Sequence, residues 1–163
     1  AANRVFSFSR AYAQLAVDGA GRKEGAIDMA SYLEDVIDHL VHASFDDNVK
    51  VNRRIAAIPL PRDQAVAIGL FLNEALTNAA KYAFGDGRKG ELTITLDGTA
   101  SDWRLDVRDN GAGVAAVSDS DGGLGRSLMR TFAQQAGAEQ DIEVSEQGCR
   151  VTLARLPLNT RRA

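Results

Sequence analysis

Glu74, Asn78 and Lys81 hold the most chemistry for their spacing, four and three residues apart within Phe71–Phe84. On a helix turning about 100° per residue they line one face, with Tyr82 at its margin. A carboxylate, a carboxamide and an ammonium in one row suit a metal-bound phosphate. Asn78 can give its side-chain oxygen to Mg²⁺, a hard cation that prefers oxygen ligands. Lys81 can neutralise phosphate charge, and Glu74 can take a proton from an attacking group or hold a water. The same residues also fit the solvated face of an amphipathic helix, with Leu72, Ala75, Leu76, Ala79 and Ala83 as the buried stripe. Asn73 and Asn78 weigh toward chemistry, because asparagine is a poor helix former in an otherwise strong helical run.

Two glycine loops add to this row. Val107-Arg-Asp-Asn-Gly-Ala-Gly113 leaves a strand. Gly111 and Gly113 allow positive φ or close approach to a ligand, and Asp109 can accept a hydrogen bond from an exocyclic amine such as that of adenine. An ordinary Asp-Asn-Gly turn explains the same residues. Gly122-Gly-Leu-Gly125 runs into Arg126-Ser-Leu-Met-Arg-Thr-Phe132. Glycines before a helix start expose free N–H groups, an anion site, although a flexible loop reads the same way. Neither a Walker A motif nor a Gly-x-Gly-x-x-Gly fingerprint occurs.

The elements that must position these residues follow from periodicity. Arg4 to Val17 is helical in pattern, and Asp18–Gly25 reads as a flexible linker. Asp28 or Ser31 can cap a helix whose apolar positions are Tyr32, Leu33, Val36, Ile37, Leu40 and Val41. Val49, Val51 and Ile55 predict a strand whose alternation slips near Arg53. Pro59 and Pro61 force an extended entry into a helix from about Asp63 to Phe84. Leu92–Leu96 and Trp103–Val107 alternate and pair as a hairpin through a Gly98-containing turn of five or six residues. A helix from about Gly125 to Ala136 precedes a last hairpin, Ile142–Val144 with Arg150–Ala154, across Glu146-Gln-Gly148. Helices in the first half and antiparallel strands in the second make an α+β two-layer sandwich, a mixed, mostly antiparallel sheet with helices on one face.

The chain has 163 residues, enough for one domain with a real core. A net charge of -3 gives no general attraction to nucleic acid or anionic membrane. A single cysteine, Cys149, excludes an internal disulfide, and no apolar run approaches the ~20 residues of a membrane span. A cytoplasmic location is expected.

In sequence order these pieces form a pattern: a helical Glu-x-x-x-Asn, then Asp-x-Gly-x-Gly, then Gly-Leu-Gly before a helix, then Gly148-Cys149 opening a last strand. The pattern resembles the N box and glycine boxes of the GHKL (Bergerat-fold) ATPases. Asn78-Ala-Ala-Lys-Tyr82 and Gly123-Leu-Gly-Arg-Ser-Leu-Met129 are most similar to the ATP-binding catalytic domain of bacterial sensor histidine kinases. Leu72–Phe84 is similar to the subclass related to the HWE kinases. Asn73, and Trp103 followed by Arg104 and Leu105 rather than a Trp-x-Glu motif, place the chain beside that group. The resemblance covers roughly residues 27 to 158.

The resemblance implies a Bergerat fold that binds ATP and Mg²⁺. It makes Glu74 the general base and Asn78 the Mg²⁺ ligand, with Lys81 on the phosphates and Tyr82 near the nucleotide. Asp109 would take the adenine amino group in a pocket shaped by Gly111 and Gly113, and Gly123, Leu124 and Gly125 would form the phosphate cradle. Cys149 departs from a frequent threonine, and Arg126 from an apolar residue. Val114 to Asp121 corresponds to an ATP lid, expected to move without nucleotide. The implied organisation is 1-25 as the end of a dimerisation helix and linker, 26-158 as the catalytic domain, and 159-163 as a tail. His39 and His42 lack a phosphoacceptor context, so the accepting histidine is expected upstream of Ala1. A response regulator and a homodimer of the longer protein are the implied partners. An anti-sigma-factor-type serine kinase, and a degenerate docking or phosphotransfer domain, are the competing functions.

Overall fold

The computed structural model describes residues 25–113 and 123–157. The expected dimerisation helix, its linker up to Glu24, the lid and the tail lie outside the described residues. Strand β1, Ile27–Asp28, pairs antiparallel with β3, Pro59–Leu60, and the two bracket helix α1, Met29–Ser44, and strand β2, Val49–Ile55. Asp28 caps α1, its carboxylate accepting the Ala30 N–H at 3.1 Å. Pro59 and Pro61 hold the chain extended, and α2 begins at Arg62 and runs to Asn78.

The helix then changes pitch. Ala79–Ala83 form a π-helical turn, closed by the Phe84 N–H on the Ala79 carbonyl at 3.2 Å. Such turns are rare and insert one extra residue into a helix. The sequence predicts one uninterrupted helix to Phe84, since Ala-Ala-Lys-Tyr-Ala contains no breaker.

Strands β4 (Gly90–Thr99), β5 (Asp102–Asp109), β6 (Ala138–Ser145) and β7 (Gly148–Arg155) complete the sheet, in the order β2-β4-β5-β7-β6. Only β2–β4 is parallel. Both predicted hairpins are present and longer than the alternating cores that announced them. The first turns through Ala100 and Ser101 alone, with Gly98 inside β4 opposite Trp103. Gly98 has φ +111, and a Cβ there would stand 2.1 Å from the Asp102 carbonyl. The ladder therefore continues past the alternation, which ends where glycine replaces a side chain. Helix α3, Gly123–Gln135, ends before Gly137 at φ +64, a left-handed helix stop.

Leu92, Ile94 and Leu96 of β4, Trp103, Leu105 and Val107 of β5, and Leu153 of β7 share one core with Ile68, Phe71, Leu72 and Leu76 of α2. Arg53, where the β2 alternation slips, shares the parity of the half-buried Val49, Val51 and Ile55 and pairs with Glu34 and Asp38 of α1. A guanidinium held by two helix carboxylates occupies what would otherwise be an apolar position.

Candidate nucleotide site

Helix α2 is more deeply enclosed than an amphipathic surface helix. Nearly every residue from Gln64 to Leu76 is buried, because α1 and α3 flank it as well as the sheet. The expected stripe of Leu72, Ala75, Leu76, Ala79 and Ala83 is buried. The polar row, which the surface reading leaves solvated, is graded instead: Glu74 is only 1% exposed, Asn78 is half-buried and Lys81 is exposed. Asn73 is buried as well. The Asn78 amide nitrogen lies 3.7 Å from Met129 Sδ on α3, so its Oδ1 is the end available to a cation. In the π turn, the Lys81 ammonium sits 5.0 Å over the Tyr82 ring.

Asp109 closes β5 from the sheet side. It is buried, and its Oδ1 accepts the Gly111 N–H at 3.0 Å and the Cys149 N–H at 3.3 Å. Among the described residues Oδ2 has no such partner, which leaves it for an N–H donor of a ligand. Burial pushes the Asp109 carboxyl above the usual carboxylate range, and the two backbone N–H bonds pull partly back. Burial first, and then the Asp109 charge, raise the Cys149 thiol to about 11, while the Arg126 charge opposes. Cys149 is therefore a neutral thiol at physiological pH, not a nucleophile. Arg126 is exposed and within electrostatic reach of that pocket.

The loop after Asp109 is joined to the end of α2. The Ala112 N–H donates to the Ala83 carbonyl at 3.0 Å. A Cβ on Gly111 would lie 2.4 Å from both Ala83 Cβ and its carbonyl oxygen. Gly113 has φ +59, and a Cβ there would meet the Ser145 carbonyl at 2.0 Å. These glycines are required by contact with the protein's own backbone, not by a turn alone. Gly123 and Leu124 open α3, and Gly125 is buried in its first turn.

The candidate residues thus converge on the C-terminal end of α2. Glu74 and Asn78 approach along the helix, Lys81 and Tyr82 sit in the π turn, and the Asp109–Gly113 loop docks on Ala83. Met129 brings α3 against Asn78. Two contributors had no site role in the sequence reading: Ala83, taken only as part of the buried stripe, and Asn110. His39 and His42 are exposed on α1, away from this convergence in the chain's order, and His39 Nδ1 lies 3.1 Å from the Asp35 carbonyl.

Residues 63–160 match the family of histidine kinase-, DNA gyrase B- and HSP90-like ATPases. The chain belongs to that family. It is 28% identical over 143 residues to the Blue-light-activated histidine kinase 2 of Erythrobacter litoralis, an alignment covering 85% of this chain and 41% of that protein. A similarity to the Sensor protein NarQ homolog of Haemophilus influenzae, 28% over 116 residues, covers 71% of this chain and 20% of that protein. The chain thus spans less than half of either relative. Among solved structures, the histidine kinase domain of the Erythrobacter litoralis EL346 blue-light activated histidine kinase superposes with a TM-score of 0.80 at 26% identity, over 98% of this chain and 75% of that one. The domain is the ATP-binding catalytic type found in sensor histidine kinases. The α+β Bergerat architecture expected from the sequence is the one present, and among the described residues no helix is long and apolar enough to cross a membrane.

Proposed function

We propose that this domain binds Mg-ATP and transfers the γ-phosphoryl group to a histidine outside this chain, within a longer two-component sensor kinase related to the HWE subclass. What supports the reading is the end of the α2 helix: Asn78 lies 3.7 Å from Met129 of α3, Lys81 sits in the π turn that follows, and the loop after the buried Asp109 docks on Ala83 of that turn. In this reading Asp109 Oδ2 takes the exocyclic amine of adenine, while Gly111 lets its loop sit flush against Ala83 of the π turn and Gly113 lets it pass the Ser145 carbonyl. Lys81 attracts the phosphates, Tyr82 flanks the nucleotide, and the Gly123–Leu124–Gly125 start of α3 supplies N–H donors to the phosphate oxygens.

The donor set fits Mg²⁺: Asn78 Oδ1 would hold it, and bound there the ion would draw charge from the phosphate oxygens. In the transfer, an imidazole nitrogen of the acceptor forms a bond to the γ-phosphorus. The bond from phosphorus to the β,γ-bridging oxygen breaks, and ADP leaves with its electron pair. Glu74 takes the imidazole proton. The product phosphohistidine would pass its phosphoryl group to a response regulator. The proposed setting is the cytoplasm of a homodimeric kinase.

The test is phosphorylation in trans of a purified dimerisation segment bearing the acceptor histidine, using ATP radiolabelled at the γ-phosphate. Acid-labile, base-stable label on the segment, lost with Glu74→Gln and Asn78→Ala, is the expected result. Label that is stable to acid, as on serine, would contradict it.

A further inference from the structure

The sequence leaves Asn110 as the unremarkable second residue of an Asp-Asn-Gly turn, yet its side chain does something specific. The last regular pair of the β4–β5 ladder is Leu92 with Asp109. One step further, the Asn110 N–H donates to the Glu91 carbonyl at 3.2 Å, as a continuing ladder would. The return bond is different: the Glu91 N–H donates at 2.7 Å to the Asn110 side-chain Oδ1. The side-chain oxygen stands in for a main-chain carbonyl. The backbone is therefore released from the sheet at Asn110 without leaving the Glu91 donor unmatched.

That release sets the geometry of Asp109. It lets the chain turn so that the Gly111 N–H points back at Asp109 Oδ1. It also lets Gly111 drop against Ala83. Gly90 is cut to fit, since a Cβ there would lie 2.8 Å from Asn110 Oδ1 and 2.3 Å from the Phe84 ring. With alanine at 110, the Glu91 N–H would be satisfied by pulling the main-chain carbonyl into register, straightening the strand and removing the Gly111 donor. Asp109 would then be held by the Cys149 N–H alone, at 3.3 Å, and less firmly aimed. Asn110 itself is exposed, so the domain core does not depend on it.

We infer that Asn110 is a positioning residue for base recognition: by replacing its own backbone carbonyl in the ladder, it aims Asp109 Oδ2 at the exocyclic amine of a purine. The inference rests on the nucleotide-site reading above. A residue that aims an acceptor should govern discrimination between bases, because guanine presents a carbonyl where adenine presents an amine. A residue that only supports the fold should weaken all nucleotides alike.

Dissociation constants for ATP and GTP, measured by calorimetry on the parent, Asn110→Ala, Asn110→Asp and Asp109→Ala, decide the matter. Asn110→Ala should bind ATP about tenfold more weakly while GTP changes little, shrinking the ATP preference by the same factor. Asn110→Asp keeps an acceptor oxygen for the Glu91 N–H and should restore most of that preference. Parental discrimination in Asn110→Ala, equal loss of both nucleotides, or no rescue by Asn110→Asp would each overturn the inference. Asp109→Ala separates the two levels: if it binds ATP like the parent, the nucleotide-site reading itself fails. If it loses ATP while Asn110→Ala does not, only the role of Asn110 fails.

Discussion

Accepting on both oxygens, from the protein's own N–H groups and from a nucleotide base, favours an ionised Asp109, and burial works against that ionisation. Its folded pKa lies above that of an exposed aspartate, so protonation begins at a higher pH than the ordinary value of about 3.9. Only the carboxylate can accept on both oxygens. ATP affinity should therefore fall as pH drops through the raised pKa. The ratio of parent to Asp109→Asn affinities across pH 4 to 8 isolates this effect from the titration of ATP itself; a flat ratio would exclude it. Gly111 offers a second residue-level test. A Cβ there collides with Ala83 backbone and side chain at 2.4 Å, so Gly111→Ala should destabilise by about 1–3 kcal/mol and weaken nucleotide binding together. Glu74, Asn78, Asp109 and the glycines could be nominated from sequence because they follow one another in a recognisable order, although each alone also fits a plain helix face or turn. Asn110 was not, because its partner lies 19 positions away and the bond is to a main-chain N–H, which no side-chain pattern encodes.

Between elements, the contact of α1 with α2 turns on Tyr32 and Gly69. A Cβ on Gly69 would stand 2.3 Å from Tyr32 Oη and 2.9 Å from the ring, which is buried and has nowhere to retreat. Gly69→Ala should cost about 1–3 kcal/mol in urea unfolding despite the better helix propensity of alanine. The Tyr32 hydroxyl is buried with no hydrogen-bond partner among the described residues. Tyr32→Phe should therefore be neutral or stabilising, by up to about 1 kcal/mol. Burial also pushes the Tyr32 phenol up to about 12 from its usual 10. The folded state holds that proton more tightly than the unfolded chain does. Stability contributed by the neutral phenol is intact below pH 10 and is lost as pH rises from 10 to 12. Tyr32→Phe should flatten that alkaline slope; an unchanged slope would show that another group sets it. Element identity was readable wherever a periodic pattern ran long enough, as in α1 and both hairpins. The parallel pairing of β2 with β4 was not, since neither strand's alternation names its neighbour. The π turn was equally hidden, because Ala79–Ala83 has ordinary helix-forming residues and the loop that docks on it, through the Ala112 N–H on the Ala83 carbonyl, is distant in sequence.

At the scale of the whole domain, one buried helix holds the residues proposed for the chemistry. The sheet packs beneath α2, α1 and α3 enclose it, and its last turns emerge, where the glycine loop docks on Ala83 and Met129 of α3 reaches Asn78. This explains why Glu74 is buried while Lys81 is exposed on the same helix. The match to the ATPase family over residues 63–160 begins at the second residue of α2 and takes in both glycine elements. The central claim is that this convergence is an ATP site with Asp109 at the base and Asn78 at the metal. Calorimetric titration of the purified chain with ATP, with and without Mg²⁺, tests it most directly when run beside Asp109→Ala and Asn78→Ala. The account predicts micromolar, Mg²⁺-strengthened binding by the parent, no detectable binding by Asp109→Ala, and loss of the Mg²⁺ enhancement in Asn78→Ala. Binding by both variants indistinguishable from the parent would contradict it.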